Sequence, residues 1–187
     1  MNIKKIIDIC KKRKVLIIYG EGDEQWISDG CACYRAFGLP TFDERSICAT
    51  FDISPKKAEK MCIQCKPELP RACCFEDDAE GEVLCDYDGP LFGGAIPITT
   101  PHGIMFIDGK YLKPISDVDG ELLNIYERKS ENGNSYFAVK CGLMIVANIM
   151  PYDVLNEKFV EKLKNISAEC EKALNKQKAE EEGLEGE

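Results

Sequence analysis

The sequence predicts an α+β protein: an antiparallel sheet built from hairpins, with an N-terminal helix, one or two short middle helices and a long C-terminal helix. Three observations support this class. Apolar residues recur at helical spacing near both ends of the chain, a β-branched run follows the first helical segment, and strand-like segments around turn residues fill the second half. This order of elements is typical of α+β domains.

The N-terminal residues predict a helix followed by a hairpin. Apolar residues of "IKKIIDIC" recur at three- and four-residue steps, which predicts an amphipathic helix over residues 2–12. The run "VLIIY" predicts a buried strand. "GEGDE" then turns the chain and "QWIS" returns, so Tyr19–Gly30 is a predicted hairpin, and its last two residues mark a second turn.

The middle of the chain predicts short helices and an irregular flap. "FDERSICATFDI" is helical from about Asp43 to Phe51. Ser54–Pro55 combines an N-cap with proline at the first helical position, which opens a helix through about Cys62. Residues 66–94 are rich in proline, glycine and acids, and we expect a long loop or flap there.

The second half predicts hairpins and a terminal helix. "AIPITT" and "GIMFID" flank one turn, and "ELLNIYERK" and "SYFAVKCGLMIVANIMP" flank "SENGN", whose Asn-Gly is a strong hairpin signal. Apolar residues recur at helical spacing from about Tyr152. We expect a single domain over residues 1–175 and a disordered acidic tail over residues 176–187.

The composition narrows the function classes. The chain has 187 residues, a net charge of -9 and a pI near 4.8, which argues against a nonspecific nucleic-acid binder. No apolar run approaches the roughly 18 residues that a membrane span needs. The start of the chain lacks a signal-peptide pattern, so we expect a cytoplasmic protein with no membrane contact.

The stretch "YGEGDEQWISDG" is the first candidate site. Its clustered carboxylates could hold a divalent cation, but their spacing does not match an EF-hand loop, and a solvated hairpin tip is the favoured interpretation. The single tryptophan is either a core residue, which we favour, or an exposed interface anchor. The candidate partner contacts here are Glu21, Asp23, Glu24 and Trp26.

An acidic block is the strongest anomaly. Between Arg71 and Lys110 there is no lysine or arginine. Such a block either repels itself into disorder or presents a negative surface to a basic partner. Carboxylates can occupy a groove built for phosphates, because its lysines and arginines need counter-charges; a solvated acidic loop is the alternative. The candidate partner contacts are Glu76, Asp77, Asp78, Glu80, Glu82, Asp86 and Asp88.

The N-terminal helix carries the opposite charge. The molecule is therefore bipolar and could touch both a basic protein groove and nucleic acid. The candidate residues for a secondary DNA contact are Lys4, Lys5, Lys11, Lys12, Arg13 and Lys14.

Eleven cysteines raise the question of a metal. "CIQC" is a CxxC pair and "CC" follows it, so Cys62, Cys65, Cys73 and Cys74 could hold zinc. The second pair is adjacent, however, where a zinc ribbon has another CxxC. In a reducing cytosol most of the cysteines are expected to be thiols, and we expect no cofactor.

No nucleophile–base pair or metal-ligand set has a spacing that indicates catalysis. The only histidine, His102, sits in the turn "TTPHG" and is expected to be a polar turn residue. The sequence therefore predicts a protein that is not an enzyme and has no catalytic residues.

The segments "VLIIYGEGDEQWISDGCACYRAFGLP", "FDISPKKAEK", "FIDGKYLKPISD" and "IMPYDVLNEKF" resemble a family of small acidic proteins encoded in phages and prophages of Firmicutes. Some of these resemble anti-CRISPR inhibitors of type II RNA-guided nucleases. The resemblance implies a non-enzymatic inhibitor that occupies basic surfaces of a host protein or protein–nucleic acid complex.

Two alternatives remain open. "FIDGKYLKPI", "LLNIYERK" and "SYFAVKCGLMIVANIMP" are similar in pattern to the end of a bacterial sliding-clamp domain. That resemblance implies a phage DNA-replication accessory factor. The cysteines permit a zinc-binding interaction module.

Overall fold

The computed structural model describes residues 1–20, 24–87, 89, 94–116 and 123–184. The chain forms two compact units, Met1–Tyr152 and Asp153–Glu187. In the described ranges, the first unit contains an eight-stranded sheet, a separate two-stranded hairpin and three helices. The second contains one long helix, and no helix of the described ranges is long and apolar enough to cross a membrane.

The helices are α1 Ile3–Arg13, α2 Glu44–Thr50, α3 Pro55–Ala58 and α4 Glu157–Leu184. The strands are β1 Val15–Tyr19, β2 Trp26–Ser28, β3 Ala32–Arg35, β4 Cys62–Lys66, β5 Val83–Cys85, β6 Ala95–Thr100, β7 Gly103–Asp108, β8 Leu123–Lys129, β9 Ser135–Cys141 and β10 Met144–Ile149. A short 3-10 turn, Gly109–Tyr111, follows β7.

The main sheet has the order β4-β1-β2-β3-β10-β9-β8-β5. The predicted α+β class, the large sheet and the helices at both ends are confirmed. The expectation of a sheet built only from antiparallel hairpins is partly wrong, because β4 pairs in parallel with β1. The chain between them passes through β2, β3 and two helices, and this long crossover lets β4 run in the same direction as β1.

The predicted hairpins form where turn residues allow them. β1 and β2 pair with Tyr19 opposite Trp26, as the sequence predicts. Gly20 opens this turn at φ 86°, and a Cβ there would collide with the carbonyl oxygen of Glu24. The hairpins β6–β7 and β8–β9 also form as predicted, the second around Gly133 at φ 78°.

The short helices begin at their predicted caps. Asp43 caps α2 in a reciprocal capping box with Ser46. Pro55 occupies the first position of α3, but α3 ends at Ala58, and the predicted continuation through Cys62 is wrong. That cysteine begins β4 instead, because its backbone N–H donates to the carbonyl oxygen of Lys14 and brings the segment into line with β1.

The two faces of the sheet have different covers. On the helix face, Ile6, Ile7 and Cys10 of α1 pack in the main core with residues such as Leu16 and Ile27. The opposite face, which we call the segment face, carries a smaller apolar cluster comprising Tyr19, Trp26, Cys33, Ala138 and Ile145. Alternate residues of each strand supply the two faces.

The alternate spacing of Cys31 and Cys33 in the sequence predicts that both thiols lie on one face of a strand. Cys31 precedes β3 and packs against the main core, whereas Cys33 belongs to the cluster on the segment face. Cys31 belongs to the turn that links β2 to β3, so strict strand alternation begins only at Ala32 and does not include Cys31.

The second unit is helical over Glu157–Leu184. The predicted division between residues 175 and 176 falls inside this helix, as does the first part of the predicted tail. Its exposed apolar residues include Leu155 just before the helix and Ile166 and Leu174 within it.

Asp29 organises the turn between β2 and β3. Its Oδ1 accepts hydrogen bonds from the backbone N–H groups of Cys31 and Ala32, both at 2.9 Å. Its Oδ2 accepts from the Tyr111 hydroxyl at 2.9 Å and lies 3.2 Å from Nε of Arg13. The carboxylate is buried, so these four donors replace water around it.

We expect Asp29→Ala to lower the free energy of unfolding by about 3 kcal/mol, because it leaves buried backbone and hydroxyl donors without an acceptor. Urea unfolding measures the change. Asp8→Ala, at an exposed position of α1, is the control and should stay within about 0.5 kcal/mol of the parent. Equal effects of the two substitutions would contradict the structural role of Asp29.

Candidate partner-binding surface

The acidic block lies against the segment face of the sheet. We call residues Cys73–Glu82 the acidic segment. Phe75 of this segment packs edge-on against Trp26, with ring centroids 4.6 Å apart and an interplanar angle of 77°. The segment is therefore anchored by an apolar contact as well as by its charges.

Arg128 of β8 makes the largest set of polar contacts with the acidic segment. Its guanidinium donates to the carbonyl oxygens of Glu76 and Asp77, both at 2.9 Å. It also donates to Oε2 of Glu82 through Nε at 2.9 Å and Nη2 at 2.6 Å. The Arg128 side chain is only 2% exposed, so these acceptors replace the water that its charged group loses on burial.

Lys140 of β9 contacts the same carboxylate from the other side. Its Nζ donates to Oε1 of Glu82 at 2.5 Å and to Oδ1 of Asp78 at 3.2 Å, and it lies 4.6 Å from the centre of the Tyr126 ring. Burial acts to lower the pKa of Lys140, but its hydrogen bonds to the carboxylates of Glu82 and Asp78 outweigh burial, and the pKa is raised. The ammonium group is thus held in its charged form.

We call Glu82, Arg128 and Lys140 the clamp, and Glu82 is the anion that both cations share. Burial acts to raise the pKa of Glu82, but hydrogen bonds from Lys140 and Arg128 and their positive charges outweigh burial, and the pKa lies below its ordinary value. The carboxylate is therefore ionised at neutral pH and is the shared counter-charge of two buried cations.

Asp77 ties the acidic segment to two further strands. Its Oδ1 accepts from the backbone N–H of Ile145 at 2.9 Å and from Nη1 of Arg35 at 3.1 Å. The same arginine also pairs with Glu24 of the first hairpin at 2.5 Å. One guanidinium therefore joins the hairpin end to the acidic segment.

Backbone groups at the start of the segment are also held. The N–H of Cys74 donates to the Tyr136 hydroxyl at 2.7 Å, and its carbonyl oxygen accepts from Nδ2 of Asn148 at 3.1 Å. Burial and the neighbouring Cys74 raise the pKa of the Cys73 thiol to about 11, although the charge of Arg128 opposes the shift. These contacts fix the chain path into the clamp.

The clamp leaves other carboxylates facing outwards. Glu76, Glu80 and Asp86 are exposed, and Asp78 is 93% exposed even though it contacts Lys140. Carboxylates on a fixed backbone form an acidic surface that is already ordered before a basic partner binds, so binding does not cost the entropy of ordering the backbone. We call Glu76, Asp78, Glu80 and Asp86 the outer acids.

The structure divides the predicted acidic contacts. Among the described residues of the acidic block, Glu82 and Asp77 point into internal ion pairs and hydrogen bonds, whereas the outer acids are exposed. Partner contact by the outer acids stays a prediction. Glu24 is exposed but pairs with Arg35. Glu21, Asp23 and Asp88 lie outside the described residues.

Trp26 is 2% exposed. Its choice as a partner contact is therefore wrong, and the core interpretation is confirmed. The hairpin carries it on the segment face, where Phe75 covers its ring.

The sequence prediction missed the cations that hold the acidic segment. Strand alternation places Arg128 and Lys140 on a covered face of β8 and β9. Lys140 follows a run of apolar residues, and a cation at such a position needs a buried counter-charge. That pattern was the available signal, and the acidic block supplies the charge.

The basic residues of the N-terminal helix do not form one continuous stripe. Lys5 and Lys11 donate to the carbonyl oxygens of Lys113 and Phe51, and Arg13 pairs with Asp29. The three remaining candidates, Lys4, Lys12 and Lys14, are exposed.

The four candidate zinc ligands do not come together. Cys62 and Cys65 lie three residues apart in β4, so their side chains point to opposite sides. In the ranges that the structure describes, no group of three or more His, Cys, Asp or Glu side chains is placed to hold a metal ion. Zinc binding stays a prediction.

We expect Glu82→Gln to lower the free energy of unfolding by about 3 kcal/mol, because two buried cations lose their shared carboxylate. Urea unfolding and hydrogen exchange of residues 73–82 measure the loss. Glu80→Gln, two residues away and exposed, should change stability by less than about 0.5 kcal/mol. If both variants match the parent, the clamp does not stabilise the fold.

The clamp also predicts a pH dependence. The folded-state pKa of Glu82 lies below its unfolded value, so its contribution is present above pH of about 4.3 and is lost as pH falls through the folded pKa. As pH falls below the unfolded-state value of about 4.3, the parent should therefore lose stability more steeply than Glu82→Gln. Parallel stability curves for the two proteins would contradict this assignment.

Comparison with known proteins gives no assignment for this chain. No known protein family, no curated protein and no solved structure matches it. The function is therefore argued from the contacts of the acidic segment.

Proposed function

We propose that this protein is a non-enzymatic inhibitor whose outer acids occupy a basic, phosphate-binding surface of a host nucleic-acid-handling complex. The resemblance to small phage proteins points to the RNA-guided CRISPR nuclease as that complex. Its surfaces that hold nucleic acid are rich in lysine and arginine, which outward-facing carboxylates can engage in place of phosphates.

The observation that carries this proposal is the way the acidic segment is held. Arg128, Lys140 and Arg35 neutralise the inward carboxylates, so the segment is fixed against the sheet instead of repelling itself into disorder. The three outer acids of this segment, Glu76, Asp78 and Glu80, are then presented from a fixed backbone. A preordered surface loses less conformational entropy on binding than a free acidic loop.

The arrangement of the clamp also decides which substitutions are informative. Asp77 and Glu82 make internal contacts that stabilise the fold. A substitution at either position could therefore weaken inhibition through unfolding alone. Glu76, Glu80 and Asp86 have exposed side chains, and their replacement changes the surface alone. Inhibition should depend on the second group in a protein that stays folded.

We expect Glu76→Lys, Glu80→Lys and Asp86→Lys together to weaken inhibition of DNA cleavage by a type II CRISPR nuclease at least tenfold. The control changes Glu161, Glu171 and Glu181 of α4 to Lys, which alters the net charge equally at exposed positions. Dose–response cleavage assays, with the protein added before and after guide loading, measure the effect and show which step is blocked.

Equal weakening by both triple variants would mean that net charge, and not the outer acids, governs binding. No protection of DNA by the parent protein with several such nucleases would overturn the choice of target. The replication-accessory and zinc-module alternatives would then be tested by polymerase binding and by metal content.

A further inference from the structure

A groove lined by lysines lies where α1 ends. Its volume is about 260 Å³, and its walls are formed by Lys11, Lys12, Lys14, Lys57, Lys60 and Met61. We call it the lysine groove. Five lysines around one groove are a strong local excess of positive charge in a chain whose net charge is -9.

The fold builds this groove from two segments that are distant in sequence. Lys14 ends α1 in the left-handed conformation at φ 60°, and its carbonyl oxygen accepts from the N–H of Cys62 at 2.9 Å. The parallel pairing then starts with Val15 opposite Cys62. The end of α1 is thereby brought beside Lys57 and Lys60, so the charge cluster is a product of the β1–β4 crossover.

The groove is not neutralised within the described part of the chain. Lys11 donates to the carbonyl oxygen of Phe51 at 2.8 Å. The other four ammonium groups make no ion pair with a described carboxylate, although Asp8, Asp52 and Glu59 are near them in sequence. No described carboxylate therefore pairs with these four ammonium groups to offset their mutual repulsion.

The dipole of α1 accounts for part of the cluster. Cations in the last turn of a helix are stabilised by its carbonyl end, which favours Lys11, Lys12 and Lys14. Lys57 and Lys60 belong to another segment: Lys57 lies in α3, and Lys60 follows that helix. Their placement beside three other lysines costs repulsion, and an anion bound between the two segments would remove that cost.

We infer that the lysine groove binds phosphate groups, as found along a nucleic-acid backbone or in a free polyphosphate. Lysine is a point-charge ligand for phosphate, and several lysines around one groove suit an anion with more than one charge. This inference does not rest on the proposed inhibition. It assigns a ligand class to a site that includes two lysines which the sequence prediction did not select.

The experiment compares two variants with the same change of net charge. The groove variant carries Lys12→Gln, Lys57→Gln and Lys60→Gln, and retains Lys11 because that residue bonds to the backbone. The control carries Lys158→Gln, Lys164→Gln and Lys178→Gln in α4. All six side chains are exposed, so both variants should fold as the parent does.

Binding of a short labelled oligothymidylate by the full-length chain is measured by fluorescence anisotropy between about 50 and 200 mM salt. We expect the groove variant to bind at least tenfold more weakly than the parent, and the slope of log affinity against log salt to fall by about 2. The control variant should keep the parent's slope. Equal losses in both variants, or no phosphate binding by the parent, would overturn the inference.

Isothermal titration with inorganic triphosphate separates the two sources of phosphate. Triphosphate binding that the groove substitutions abolish, without oligonucleotide binding, supports a free polyphosphate as the ligand. Oligonucleotide binding that triphosphate displaces supports a nucleic-acid backbone. Binding of either anion that is unchanged in the groove variant places it elsewhere and contradicts the assignment.

Discussion

The burial of Arg128 and Lys140 on one face of the sheet is the constraint from which most of the architecture follows. A cation removed from water needs a counter-charge and acceptors for its hydrogen bonds, or its burial costs several kcal/mol. The acidic segment therefore crosses this face, and its path is determined by the positions of two strand cations.

This constraint explains why an acidic block can be an ordered part of the protein. Three cations, Arg35, Arg128 and Lys140, meet the inward carboxylates, while Phe75 covers Trp26. The segment closes the second face of the sheet much as α1 closes the first, with charge replacing much of the apolar contact. Its outer side remains acidic, because the clamp uses only some of its carboxylates.

The local elements were predictable from short-range patterns, whereas the candidate sites depended on long-range pairing. The α1 helix, the Asn-Gly hairpin and the capped start of α2 follow from spacing and turn chemistry in neighbouring residues. The parallel β4 did not, because "CIQC" carries no sign of its partner strand. The acidic block was recognised, but its division into inward and outward carboxylates depends on cations about fifty residues away. Only the α1 part of the lysine groove was predictable from the sequence, because the same crossover brings Lys57 and Lys60 beside α1.

The order of the clamp residues along the chain has a consequence for synthesis. Glu82 precedes Lys140 by 58 residues, and Cys74 precedes Asn148 by 74. At about 5 to 20 residues per second, the acidic segment leaves the ribosome roughly 3 to 12 s before the lysine that neutralises it. During that interval its carboxylates repel one another and Phe75 has no complete sheet to cover. The nascent chain therefore holds the acidic segment open until β9 and β10 emerge, and the segment face is the last part of the first unit to close.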